Sequence, residues 1–246
     1  LGEPVDLLSR DEAESYIGSS AFYGALLDRR AGTINPMGYC RGLARVAIAA
    51  GALISVGARA KKLQQETGLW RVITNKGTLM ARHVVLGTNA YTDDLWPGLK
   101  YSFTKINYFQ LATSPLGHRI KHILPQQQGL WDTGKIMFSL RRDDSERLII
   151  GSMGNVMGNR SGGVSHRWAQ KKLARLFPEL GWVGFDEAWQ GQIAMTIYDL
   201  ARQYQDREHG NEPQQPRLWQ PRWHYQQSVW GSEAHAGCGP VCFLIQ

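Results

Sequence analysis

Hydrophobic and polar positions change period several times along this chain, and each change marks an element. Leu43, Val46, Ala47 and Ala50 fall at i, i+3, i+4 and i+7, one apolar stripe of a helix. Asn35 before Pro36 supplies a start, because Asn caps free amides and Pro suits a first turn. Gly51 stands where a left-handed C-terminal cap belongs. The pattern predicts a helix of about four turns packed on a sheet. Residues 52–56 follow as a short apolar strand, so the order is helix, turn, strand, the second half of a crossover unit. Residues 60–64, 69–74 and 78–81 read as a three-stranded meander, separated by the turn sequences Glu66-Thr67-Gly68 and Asn75-Lys76-Gly77. Residues 83–90 read as a buried strand that ends in Gly and small polar residues.

A second sheet is expected from residues 104–113 and 136–140, with 148–150 pairing across the charged turn 142–147. Ser165 can cap a helix running through Phe177, with Ala169, Leu173, Leu176 and Phe177 on its inner face and Pro178 as its stop. Residues 189–194 form a last strand. Beyond them, residues 197–246 are expected to be a divergent, irregular tail, dense in Gln, Pro, Trp and His without a sustained period. The change at about residue 203 suggests a shifted reading frame or a degenerate gene.

Composition narrows the function classes. With 43% hydrophobic and 20% charged residues, 246 residues make a soluble globular chain, one large domain or two small ones. No run approaches the roughly 18 to 20 apolar residues of a membrane-spanning helix. The net charge of +7 is too scattered to point to a nucleic acid, although residues 203–246 carry −1 and the rest +8. Cys40, Cys238 and Cys242 have no framework spacing, which fits a reducing, cytoplasmic compartment. His235, Cys238 and Cys242, with His209 and His224 nearby, lack a complete paired set of the structural zinc kind, so no metal is expected. The chain opens on Leu1, which suggests a start inside a longer protein.

Several stretches carry a family resemblance. The runs Gly24-Ala25-Leu26-Leu27-Asp28 and Gly32-Thr33-Ile34-Asn35-Pro36, and the helix ending Ala50-Gly51-Ala52, resemble the middle of the FAD-dependent oxidoreductases of the D-amino-acid oxidase superfamily. Val84-Val85-Leu86-Gly87-Thr88-Asn89-Ala90-Tyr91 is similar to that family's second flavin-contacting strand and turn. Arg141 with Arg147-Leu148-Ile149-Ile150-Gly151 resembles its substrate-domain hairpin, and Trp189-Gln190-Gly191 a Trp-x-Gly step on a strand returning toward the flavin. Within the family, the look is of the gamma-glutamylputrescine oxidoreductase type. The resemblance covers roughly residues 20 to 196. It implies a mixed α/β chain: a partial, Rossmann-like FAD-binding domain with a β-meander at 1–98 and an antiparallel-sheet substrate domain at 99–196.

The implied chemistry is hydride removal from a carbon bearing an amine, with flavin as acceptor and an imine that hydrolyses afterward. The cofactor carries the hard chemistry, so no catalytic triad or acid pair is required. The partner is a small-molecule amine, with no nucleic acid, no integral membrane segment and an unassigned oligomeric state. Matching positions imply cofactor contacts at Ala60, Gly87, Thr88 and Asn89. Ala60 also reads as ordinary strand packing, and Gly87 as an ordinary strand-ending turn. Arg141 is a candidate anion contact for substrate, or a solvated hairpin charge beside Arg142, Asp143 and Asp144.

Three features depart from the family. No Gly-x-Gly-x-x-Gly sequence occurs after a strand, so the usual pyrophosphate site is not encoded in these residues. The Gly-rich runs 151–154 and 158–163 read as loops. Ile193 stands where the amino-acid oxidase branch has an Arg that grips a carboxylate, which favours an amine substrate. The tail keeps only a trace of the family's closing segment. A competing reading is therefore a non-catalytic remnant of the same fold that binds no flavin and acts at most as an interaction surface.

Overall fold

The computed structural model describes residues 4–134, 136–156, 163–196 and 241–245. They form an eight-stranded and a three-stranded sheet with three α-helices, and the chain divides into two compact units. One holds Leu1–Ile54, Asn107–Gln192 and Trp230–Gln246; the other holds Ser55–Ile106 and Ile193–Val229. Residues 1–54, expected with the meander, thus group with the larger sheet. No helix of the described residues is long and apolar enough to cross a membrane.

The first unit opens with β1 (Val5–Leu8), α1 (Arg10–Ile17) and β2 (Gly24–Asp28). A capping box starts α1: Glu12 N–H donates to Ser9 Oγ, and the Glu12 carboxylate accepts from Ser9 N–H. Gly18, at φ +78°, closes it in the left-handed conformation. α2 (Pro36–Ala49) begins as expected, with Asn35 Oδ1 accepting from Gly38 N–H at 2.7 Å, and Gly51 follows at φ +92°.

In the second unit, β3 (Ala60–Glu66), β4 (Leu69–Thr74) and β5 (Gly77–Ala81) form the expected antiparallel meander. Thr67 and Gly68, both at positive φ, make the tight turn between the first two strands.

The larger sheet adds β6 (Thr104–Thr113), β7 (Leu130–Asp132), β8 (Phe138–Arg142), β9 (Leu148–Met153), β10 (Phe185–Met195) and β11 (Val241–Ile245). Its order is β1-β2-β11-β7-β8-β9-β6-β10. α3 (Val164–Leu176) packs on one face. Ala169, Leu173, Leu176 and Phe177 meet Phe109, Leu111, Leu130, Phe138, Leu140, Leu148 and Ile150, all buried. Strand alternation puts every second residue of β6, β8 and β9 on that face. Ser165 lies inside α3, not at its cap: Gly163 is the N-cap, and Ser165 Oγ donates to Asn155 O at 2.8 Å.

Three expectations need correction. Residues 52–55 and 83–88 are irregular, not strands, and Leu53 and Val85 are 100% and 91% exposed. A strand of a parallel sheet needs a paired neighbour and cover on both faces. Neither segment pairs with a described strand. α2 was expected to pack on a sheet, yet none of its residues is buried. The tail is not irregular to its end: β11 lies inside the sheet, antiparallel to β2 and parallel to β7. Val-Cys-Phe-Leu-Ile is a continuous apolar run, which a two-sided strand requires. Residues 157–162 and 197–240, including His209, His224, His235 and Cys238, lie outside the described residues.

Candidate functional site

In the first unit, alternation that sends Phe109 and Leu111 into the core sends Tyr108 and Gln110 to the opposite face of β6. On β8 the same rule separates Phe138 and Leu140 from Ser139 and Arg141. Cross-strand register sets Gln110 opposite Gly151, Gly151 opposite Ser139, and Ser139 opposite Trp131. Polar side chains of β6 and β8 thus meet across β9 on the face away from α3. Gly151 is what lets them meet. A Cβ there would stand 2.5 Å from Gln110 Cδ and 2.5 Å from Phe109 O, closer than packed atoms come. With that space free, Gln110 reaches over β9, and its Nε2 donates to Ser139 Oγ at 3.4 Å.

Tyr108 Oη donates to the same Ser139 oxygen at 3.3 Å. Burial pushes the Tyr108 phenol above its ordinary value, the Ser139 bond opposes this, and the charge of Asp132 adds to it. The phenol therefore stays protonated near neutral pH. With Tyr108 and Gln110 both donating to it, Ser139 keeps its own proton to give elsewhere. Arg141, on the next row beside Ile149, donates from Nη1 to Ile34 O at 3.4 Å. Burial pulls its guanidinium below the ordinary value, and Asp143 opposes the shift. It is a half-buried side chain on the face of β8 opposite Phe138 and Leu140.

In the second unit, Ala60 opens β3, opposite Thr74 and beside a bulge. Gly87, Thr88 and Asn89 lie on the loop after β5. Thr92 Oγ1 donates to Asn89 O at 2.7 Å, so in the 2.6 Å contact between Thr88 and Thr92 the Thr88 hydroxyl is the donor. Asn89, at φ +45°, turns its side-chain oxygen onto Ala90 N–H at 2.7 Å. Both side chains are thus engaged in holding the turn. Arg59, next to Ala60, donates to Asp93 Oδ2 at 3.0 Å, tying the start of β3 to this loop. The bond from Leu95 N–H, and after it the Arg59 bond, lowers the Asp93 carboxyl below its ordinary value.

Residues 1–223 match the family of FAD dependent oxidoreductases. The chain belongs to this FAD-dependent family. Among curated relatives, it is 28% identical over 193 residues to the probable oxidoreductase OrdL of Rhizobium meliloti, covering 78% of this chain and 45% of that protein. It is 26% identical over 195 residues to the gamma-glutamylputrescine oxidoreductase of Escherichia coli, with the same coverage. The chain therefore spans just under half the length of these relatives. Among solved structures, glycine oxidase from Geobacillus kaustophilus superposes with a TM-score of 0.65 at 19% identity, over 84% of this chain and 55% of that one. That likeness concerns the fold. The family match extends through residue 223, into the stretch where no family pattern was legible.

The family's FAD would need main chain that it can approach closely. No heavy atom lies within 4 Å of where a Gly87 Cβ would stand, so the backbone there is open to the close approach a cofactor makes. The small side chain of Ala60 allows the same. The phosphate-binding fingerprint does not occur in the 246 residues. Sequence reading missed Tyr108, Gln110 and Ser139. Their signal was the alternation of polar with large apolar residues on β6 and β8, which separates a lined face from a core face.

Proposed function

We propose that this chain supplies the substrate-facing sheet and part of the flavin surroundings of an FAD-dependent oxidoreductase acting on a carbon–nitrogen bond. Its substrate is an amine or amino acid, with an amine of the gamma-glutamylputrescine type favoured. The observation that carries the reading is the polar row of Tyr108, Gln110 and Ser139 on the sheet face away from the core, beside Arg141. Ile193, on β10, supports the amine over the α-amino acid, because it offers no charge to a carboxylate.

FAD, when bound, would supply the acceptor for a hydride leaving the carbon that bears nitrogen. Ala60 and the backbone at Gly87, Thr88 and Asn89 would hold it by close main-chain approach. Ser139 offers its hydroxyl proton to an acceptor atom of the substrate, with Tyr108 and Gln110 fixing the direction of that proton. As the hydride departs, the nitrogen lone pair forms the C=N bond and an amine proton passes to water. Hydrolysis of the imine then releases ammonia or an amine and a carbonyl product.

The test is cofactor retention. The chain is expressed with added FAD, freed of unbound cofactor and examined for flavin absorption. A yellow protein is expected. A folded, colourless protein would overturn the reading and leave the non-catalytic remnant.

A further inference from the structure

The Ser139 hydroxyl proton has no acceptor among the described residues. Ser139 Oγ accepts from Tyr108 Oη at 3.3 Å and from Gln110 Nε2 at 3.4 Å, and it donates to no described residue. Gln110 is 7% exposed, and its amide makes no other hydrogen bond with a described residue, which leaves one Nε2 proton beside the Ser139 hydroxyl. Polar groups buried to this degree are normally satisfied, so two unused donors side by side mark a place for an acceptor. Trp131, opposite Ser139 in the register, brings its ring to the same face.

We propose that Ser139 and Gln110 form a carbonyl subsite that selects an amine carrying a neutral amide arm over the same amine without one. This deepens the proposed function and rests on its reading that this face meets the substrate. The reacting nitrogen is not the acceptor. As an ammonium it has no lone pair, and as a free amine its lone pair must stay available for the C=N bond. A carbonyl oxygen has two lone pairs and takes both donors at once. A carboxylate fits less well, because the donors are uncharged and the buried Asp132 carboxylate acts on Tyr108, where it disfavours negative charge. Arg141, a cation on the same face, stands two residues along β8, roughly 6.5 Å away by strand rise, so a carboxylate settles there instead. The Trp131 ring suits the methylenes that flank a carbonyl.

The probes are N-acetylputrescine, heptylamine and ε-aminocaproate, which share a terminal amine and a similar length but carry an amide, an alkyl group and a carboxylate. Each is titrated into the full, isotope-labelled chain without flavin. The Gln110 side-chain amide signals, assigned by their loss in Gln110→Met, are followed by NMR. N-acetylputrescine is expected to shift those signals and to bind at least about tenfold more tightly than heptylamine, the usual effect of pairing donors otherwise left unsatisfied. Ser139→Ala should remove that preference and leave the affinities for heptylamine and ε-aminocaproate within about threefold, since neither depends on the hydroxyl. Ser139→Cys, which keeps the shape with a weak donor, should lower the preference in the same direction. Unchanged backbone signals of β9 and α3 show that each variant is folded.

Equal affinity for N-acetylputrescine and heptylamine, no shift at Gln110, a preference that survives Ser139→Ala, or an ε-aminocaproate affinity that falls with Ser139→Ala as far as that of the amide would each overturn the proposal. Because no flavin is present, this failure is distinct from failure of the proposed function. A chain that retains FAD and does not distinguish the carbonyl would sink only the subsite.

Discussion

At the scale of single residues, Gly151 decides whether the polar row exists. A methyl group there meets Gln110 Cδ and Phe109 O, each at 2.5 Å, and the second is backbone that cannot swing away. Gly151→Ala should cost about 1–3 kcal/mol, the usual penalty for overpacking, measured as a lower urea midpoint at unchanged slope. His166 makes a second prediction. It is 6% exposed near the start of α3, its Nδ1 makes no hydrogen bond to a described residue, and burial holds it below its ordinary value of 6.5. The unfolded chain therefore takes up this proton first, and stability is lost as pH falls through the ordinary value. Urea midpoints at about pH 7.5 and 5.5 should diverge in the native chain and diverge less in His166→Gln, by the linkage between proton uptake and unfolding.

At the scale of elements, the chain was legible where local rules suffice. The cap at Asn35, the left-handed Gly51, the meander turns and the inner face of α3 follow from contacts a few residues apart, and all are present. The capping box of Ser9 and Glu12 was equally local and was overlooked. What failed required knowledge of neighbours. Residues 52–56 and 83–88 have the composition of buried strands, but a strand forms only beside another strand, and the pattern does not say whether one is there. β11 is the converse. Five apolar residues far along the chain find β2 and β7 on either side, a pairing no periodicity announces. Ending the chain at Pro240 removes a strand between β2 and β7 and exposes two edges. The prediction is loss of cooperative unfolding by circular dichroism, whereas the paired change Leu43→Glu and Val46→Glu leaves the midpoint within about 0.5 kcal/mol, as exposed sites do.

At the scale of the whole molecule, family membership was visible in the order of short runs between residues 20 and 196, and the match to the FAD-dependent family bears it out. The site was legible only in part. Gly87 could be chosen because glycine allows a backbone to be approached, and the structure leaves that space open. Thr88 and Asn89 could not be weighed from sequence, since their side chains turn inward to hold their own loop. Tyr108, Gln110 and Ser139 come together through the register of three strands drawn from separate stretches, which short motifs do not encode.

The central claim is oxidation of a carbon–nitrogen bond, and anaerobic bleaching of the bound flavin tests it most directly. Flavin-loaded protein is mixed under nitrogen with gamma-glutamylputrescine, putrescine or glycine, with dithionite as a control. Bleaching of the yellow band by an amine, with an aldehyde recovered after hydrolysis, is the expected result. A flavin that dithionite bleaches while every amine and amino acid leaves it yellow would contradict the account.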